Sequence, residues 1–310
     1  MKEIEEKYLE QVVAKKLGKS IVKFSLIGQG MCNNAWYVKT DEELEYLVKQ
    51  EKFNKDTDEQ NDLLVEAELL KKLNENNPSL LVPKIVYISE DPKMYCYDFI
   101  SGDTMQNSWE DLVEEDRKLI CENLGKFHAD LGKSLTPNEI ETIHLKINQD
   151  ADFEKETQES VHVFLTDDNI PNNYKSIVEQ VIEIFSKTKK DAVFGLSHND
   201  SHHENILVNK GKFVSMVDFG DTEYGDIHAG LTRYIQDYPD YAEIVFSSYE
   251  KYSGNKLSRE RLVAHTILNA VEDIRIDFQA GGNMMVLEEY LKWFEKFAHN
   301  PFILGRLDSN

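Results

Sequence analysis

Cysteine is scarce in this sequence. Only Cys32, Cys96 and Cys121 occur, and no two stand at the close spacing of a metal or redox pair, which argues against a disulfide framework and for reduced thiols. Positive charge is also short: 35 Lys and Arg face 57 Asp and Glu, a formal net charge of −22. Such a chain repels phosphodiester backbones and anionic lipid, so nucleic acid and membrane surfaces are poor partners. Long apolar runs are missing too. None approaches the roughly 18 residues of a membrane span, and Met1 to Lys16 mixes charges with apolar residues where a signal peptide has an unbroken apolar stretch. A cytoplasmic protein, monomeric or weakly dimeric, is expected. There is no internal repeat and no low-complexity tract.

What is present is the composition of a folded soluble protein: 310 residues, 41% hydrophobic and 30% charged. That length permits two moderate domains with buried cores. After a charged N-terminal helix, residues 21–40 read as two β-rich runs around the turn-forming GQGMCNN, and residues 46–49 as a further short strand. Leu63, Leu64, Ala67, Leu70 and Leu73 recur at helical spacing, and residues 83–88 and 94–100 are expected strands either side of EDPK. Gly102 to Ser108 is the expected link between lobes. Helices are expected beyond it at about 114–135, 173–190, 258–280 and 284–299, with a short β-hairpin, 206–208 and 213–217, between the second and third. Strands followed by helices make an α+β fold, with lobes at 1–101 and 102–310.

The densest polar cluster is His198, Asn199, Asp200, Ser201, His202, His203, Glu204 and Asn205, just before the hairpin. Asp218 and Asp221 follow it in MVDFGD. A hairpin returns the chain to its start, so Asp200 and Asn205 can converge with Asp218. Converging oxygen ligands suit Mg²⁺, which takes few protein ligands and completes its shell with water and phosphate oxygens. The same string also admits a rival, a metallohydrolase built on His198, Asp200, His202 and His203.

The segments HNDSHHEN and VDFGD resemble the catalytic and metal loops of the aminoglycoside phosphotransferase and choline kinase superfamily, relatives of the protein kinases. The resemblance implies a bilobal kinase-like fold and transfer of the γ-phosphate of ATP or GTP to a small-molecule hydroxyl. It implies that Asp200 accepts or orients the hydroxyl proton, that Asn205 and Asp218 hold Mg²⁺, and that His198 braces the loop. Upstream, the turn at Gly30 and Asn33 resembles the family's phosphate-approaching loop. YLVK resembles the third-strand lysine segment, with Lys49 as the phosphate cation and Lys52 as the second choice. Glu66 on the following helix is its implied partner, chosen over Glu68. MYCYDFISG resembles the strand against which the base packs, with backbone groups around Tyr97 and Phe99 reading it. Phe127 and His128 match a helix end that is expected to be structural.

Some residues depart from the family pattern. Asn199 stands for a usual glycine, Ser201 for an apolar residue and Glu204 for a small one, and Gly230 replaces an aspartate usual four residues after Asp226. Either another acid substitutes there or the C-lobe is locally different.

For the acceptor, Asp221, Glu223 and Asp226 follow the metal loop, and Glu272, Asp273 and Asp277 lie on a late helix. If these acids face the cleft, a cationic acceptor of the aminoglycoside type is expected, with antibiotic resistance as the implied role; otherwise they form solvated faces. Choline or ethanolamine, which would need an aromatic cage of the kind Tyr290, Trp293, Phe294 and Phe297 can offer, is the alternative. Homoserine and thioribose sugars are further options, and a nucleotide-binding module that no longer catalyses is another.

Overall fold

The computed structural model describes residues 2–30, 33–52, 63–148, 150–279, 292, 294 and 295. Helix α1 (Lys2–Leu17) leads into strands β1 (Ile21–Gln29), β2 (Asn33–Thr40) and β3 (Glu45–Glu51); α2 (Leu63–Asn76), β4 (Ile85–Glu90) and β5 (Lys93–Asp98) follow. These strands form one antiparallel sheet of order β1-β2-β3-β5-β4. Alternation along β3 buries Tyr46, Val48 and Gln50, and Tyr46 and Val48 pack with Leu9 and Val13 of α1. Lys49 consequently points to the other face, toward α2. The buried face of α2 is the stripe Leu63, Glu66, Ala67, Leu70 and Leu73, spaced three and four apart as a helix requires. Glu66 is the one charged member of that stripe.

The chain continues through β6 (Asp103–Thr104) and α3 (Met105–Ser108), then α4 (Glu114–Leu131), α5 (Pro137–Thr142), α6 (Asp150–Thr166) and α7 (Asn172–Lys187). Strands β7 (Phe194–Ser197), β8 (Ile206–Asn209), β9 (Lys212–Met216) and β10 (Glu223–Asp226) come next. Helices α8 (Ile227–Gly230), α9 (Thr232–Asp237), α10 (Pro239–Ser253) and α11 (Arg259–Gln279) complete the described chain. The fold is thus α+β, a strand-rich front followed by helices. Helix α4 meets α10 backbone to backbone: a Cβ on Gly125 would stand 2.2 Å from the Val245 carbonyl. Hairpin β8–β9 pairs with β6, and β7 runs antiparallel to β10. The apolar face of α2 and the C-terminal helices share one continuous core. Among the described residues, no helix is long and apolar enough to cross a membrane.

Helices α3, α5, α6, α8, α9 and α10 and strands β6, β7 and β10 go beyond the sequence expectations. The helix expected at 284–299 lies outside the described residues, except that Phe294 is buried against Phe164 and Tyr174. Tyr290, Trp293 and Phe297 also lie outside them.

The C-terminal half is tied together by one carboxylate. Asp226 ends β10, caps α8 by accepting from the His228 amide, and receives the side chains of Arg261 and His265 from α11, the latter at 3.0 Å. His228 Nδ1 donates to Asp226 at 2.7 Å while its Nε2 accepts from the Ser258 amide at 3.0 Å, which fixes a neutral ring protonated on Nδ1. Arg261 is wholly buried and the Asp226 side chain is 7% exposed. Burial alone would raise the Asp226 pKa, but hydrogen bonds from His228 and His265 outweigh it and hold the carboxyl well below its usual range. The expectation that Asp226 grips an acceptor is therefore corrected: its charge faces inward and answers Arg261. A depressed folded-state pKa stabilises the fold above about pH 4 and loses that contribution as the pH falls below it. Asp226→Asn should cost about 3 kcal/mol by leaving Arg261 uncompensated, and thermal melts at neutral pH should show it; an unchanged midpoint would refute the role.

Candidate active site

Strand β3 delivers Lys49 and helix α2 delivers Glu66. The Lys49 ammonium donates to Glu66 Oε1 and Oε2 at 3.0 and 2.8 Å and to Asp218 Oδ1 at 2.7 Å. Glu66 is 3% exposed, and its Oε1 also accepts the Phe219 amide at 2.9 Å, so one carboxylate holds both the lysine and the backbone beside Asp218. Burial would lower the Lys49 pKa, but Glu66 and then Asp218 outweigh burial and hold the ammonium above its ordinary value. The group is a fixed cation. Lys52, the second choice, is elsewhere: its ammonium donates to the Gly30 carbonyl.

The hairpin closes as its geometry requires. Val217 N donates to Asn205 O at 2.9 Å, bringing the residues before β8 against those after β9. Asn205 Nδ2 donates to the backbone carbonyl and Oδ2 of Asp200 at 2.9 and 2.8 Å. That fixes the amide so that Oδ1, which has no hydrogen bond among the described residues, is the atom left for a cation. Asp218 is in the left-handed region at φ 63°, and its side chain is 51% exposed while one oxygen is held by Lys49. A neutral amide oxygen and an open carboxylate suit Mg²⁺, which binds through one or two protein groups and completes its shell with water and phosphate oxygens. By contrast, no group of three or more His, Cys, Asp or Glu among the described residues is arranged to hold a metal, so the metallohydrolase reading has no geometric support.

Burial would raise the Asp200 pKa, but the hydrogen bond and charge of His202 outweigh it and hold the carboxyl below its usual value; His202 Nε2 lies 3.4 Å from Oδ2. His202 rises in return, chiefly through that contact with Asp200. His198 is fully buried, donates from Nε2 to the Val217 carbonyl at 3.1 Å and lies edge-on to Phe219. Burial pushes its pKa down to about 4, so it is a neutral brace. His128 likewise bonds Tyr234 in the interior at 2.8 Å.

The other expected residues are placed unevenly. Gly30 N closes its turn on Asn33 O at 3.0 Å. Tyr97 is buried, and the Phe99 amide donates to Glu45 O at 3.0 Å. That amide is committed within the sheet. Asp221 and Glu223 border, with Glu66, a cavity of about 320 Å³; Asp221 is exposed, whereas Glu223 is held by Asn148 and by Lys146 at 3.1 and 3.4 Å. Glu272 and Asp273 are half-buried on α11, and the Asp277 side chain lies outside the described residues. Sequence reasoning passed over Asp237, a partly buried acid 3.4 Å from Nδ1 of His203 in the HNDSHHEN segment. Nothing in QDYPD marks it.

Gly230 has a steric reason. A Cβ there would fall 1.8 Å from Ser197 Oγ and 3.0 Å from Asn199 Oδ1. Asn199 itself adopts φ 61°, the left-handed conformation in which asparagine is among the better-tolerated non-glycine residues. Of the two alternatives for the missing aspartate, the C-lobe is locally different: Ser197 and Asn199 occupy its place. Gly230→Asp should therefore cost about 3 kcal/mol through overpacking and reduce turnover beyond the loss of folded protein, since Asn199 adjoins Asp200. Parallel melts and activity assays check this, and a fully active variant would contradict it.

Comparison with solved structures agrees in fold. The wild-type aminoglycoside 2'-phosphotransferase-IIIa in its GDP complex superposes with a TM-score of 0.74 at 14% identity, covering 95% of this chain and 99% of that one. The streptomycin and ATP ternary complex of APH(2")-IIa gives 0.67 at 16% identity, with coverages of 93% and 95%. A type I macrolide 2'-phosphotransferase gives 0.70 at 11%, with 93% and 96%. No curated protein sequence matches. The profile of the phosphotransferase enzyme family, APH, matches residues 23–254, three quarters of the chain, and the protein belongs to that family as a small-molecule kinase.

Proposed function

We propose that the protein transfers the γ-phosphate of ATP or GTP, with Mg²⁺, to a hydroxyl of a small cationic acceptor of the aminoglycoside type, in the cytoplasm. The observation that carries this reading is the joining of Lys49, Glu66 and Asp218 beside the hydrogen-bonded pair Asp200 and Asn205. Phosphoryl transfer depends on positioning and charge neutralisation more than on covalent help from the protein. Lys49 is a cation at neutral pH and suits the α- and β-phosphates. Asn205 Oδ1 and the open carboxylate oxygen of Asp218 would hold Mg²⁺, which supplies charge neutralisation on the phosphate oxygens. Asp200, kept ionised and oriented by Asn205, takes the acceptor hydroxyl proton as the acceptor oxygen bonds to the γ-phosphorus and the bond to the β-phosphate oxygen breaks. A nucleoside diphosphate and a phosphate monoester leave.

The acceptor class is supported by the chain's net charge of −22, by exposed Asp221, and by structural neighbours solved with gentamicin, streptomycin and kanamycin. Resistance to such compounds is the corresponding biological role. A choline or ethanolamine kinase is the alternative. Asp200→Ala should lower kcat by about 10²- to 10⁴-fold with nucleotide affinity held within about twofold. Turnover assays over aminoglycosides, macrolides, choline, ethanolamine, homoserine and thioribose, with both donors, test it; unchanged turnover in the variant would sink the assignment.

A further inference from the structure

Two adjacent histidines in the HNDSHHEN segment part to different acids. The His203 carbonyl accepts the Gln106 amide at 3.2 Å, and its ring Nδ1 lies 3.4 Å from Asp237 Oδ2. The His202 carbonyl accepts the Asn205 amide at 3.0 Å, and its ring turns to Asp200. Two contacts fix that ring. Nδ1 accepts the Glu204 amide at 3.2 Å, so the neutral ring carries its proton on Nε2. Nε2 is the nitrogen that lies 3.4 Å from Asp200 Oδ2. The side-chain amide of Asn205 reaches the same oxygen at 2.8 Å. Both donors therefore address Oδ2, while Oδ1 has no hydrogen bond among the described residues. The Asp200 side chain is partly exposed.

The terminal torsion of an aspartate is broad and roughly two-fold, so an unrestrained carboxylate exchanges its oxygens freely. One donor on one oxygen leaves a pivot. A second donor on that oxygen, from another residue, narrows the swing and keeps the other oxygen turned to the opposite side. Catalysis is sensitive to this, because a misplacement of about 1 Å at a reacting group can cost about a hundredfold in rate. Under the phosphotransferase reading Asn205 serves the metal as well as Asp200, whereas His202 lies outside the metal set. We propose that His202 is a positioning residue for the transfer: with Asn205 it holds Asp200 by Oδ2 and so reserves Oδ1 for the acceptor hydroxyl. As the acceptor oxygen bonds to the γ-phosphorus and the bond to the β-phosphate oxygen breaks, the hydroxyl proton passes to Oδ1. It leaves from there to water once the phosphate ester has gone. This assignment rests on the phosphotransferase reading and adds to it a residue that acts through Asp200.

Steady-state kinetics with Mg²⁺ and ATP or GTP test this on wild type, Asp200→Ala, His202→Ala, His202→Gln, His202→Lys and the Asp200→Ala, His202→Ala double variant. The acceptor is whichever of the aminoglycosides, macrolides, choline, ethanolamine, homoserine and thioribose wild type uses fastest, or water where it uses none. His202→Ala should lower kcat about tenfold, the lower end for a lost hydrogen bond to a charged group, with both KM values within about twofold, as for an interaction that counts in the transition state. His202→Gln, whose amide can bring an N–H to the same oxygen, should recover most of the loss. In the Asp200→Ala background the His202→Ala change should have no further effect, because the group it positions is gone. A merely structural role would lower both backgrounds alike, and that result overturns the proposal. An unchanged kcat in His202→Ala overturns it too, as does recovery by His202→Lys without recovery by His202→Gln, the sign of a cation acting on phosphate. The ring ¹⁵N shifts of wild-type His202 in alkaline buffer, where the imidazole is neutral, need no variant: a proton on Nε2 is expected, and a proton on Nδ1 overturns the assignment. A wild type without turnover, or a fully active Asp200→Ala, overturns both this assignment and the phosphotransferase reading. An inactive Asp200→Ala beside a fully active His202→Ala overturns the His202 assignment alone.

Discussion

The arrangement of the site depends on one buried carboxylate. Glu66 stands in the apolar stripe of α2, where a charge costs several kcal/mol unless it is paired and hydrogen-bonded. Its partners include Lys49, through two contacts, and the Phe219 amide. Each partner comes from a different part of the chain, β3 on one side and the loop after β9 on the other. Satisfying this carboxylate therefore fixes the distance between the sheet and the hairpin, and with it the separation of Lys49 from Asp218. The loop cannot relax without taking the Phe219 amide away from the buried carboxylate. Asp218 is held in a left-handed conformation within the same arrangement.

Asp226 does for the C-terminal helices what Glu66 does for the site, with a different outcome. Both carboxylates are mostly buried and both are matched by a cation and by hydrogen bonds. The Glu66 partner Lys49 is also shared with a half-exposed aspartate, so that cluster opens toward the site. The Asp226 cluster, with Arg261, His265 and His228, is mostly buried between the end of β10 and helices α8 and α11. One arrangement is open on the side of Asp218 and the other uses charge to hold helices together.

Local pattern made much of this legible before the structure. The spacing of His198, Asp200 and Asn205, the hairpin between Asn205 and Asp218, and the helical stripe containing Glu66 all depend on neighbours within a few residues or on a short turn. What escaped depended on distant partners. Strand β10, EYGD, has no apolar alternation and exists because it pairs with β7. Helix α6 has a polar sequence whose buried side is set by packing on α7 and α11. Helix α10 did carry local signals, Pro239 at its first turn and Gly254 left-handed after its end, yet they flank a run with few strongly apolar residues. The fate of Asp226 was invisible because Arg261 lies 35 residues away. Gly230 reads as a lost aspartate until the hydroxyl of Ser197 is seen where its side chain would be.

These contrasts bear on how far an acidic composition speaks to an acceptor. Asp221, Glu223 and Asp226 fall within six residues, and as a string they form one acidic patch. In the fold they part company. Asp221 is exposed, Glu223 is neutralised by Lys146 and held by Asn148, and Asp226 is enclosed with Arg261. A turn followed by a short strand sends successive carboxylates to opposite faces, so three acids in a row deliver one to solvent. Net charge counts all three equally and describes the long-range field that raises the local concentration of a cation. Recognition at contact distance counts only a carboxylate that a ligand can touch, and of these three Asp221 is the exposed one.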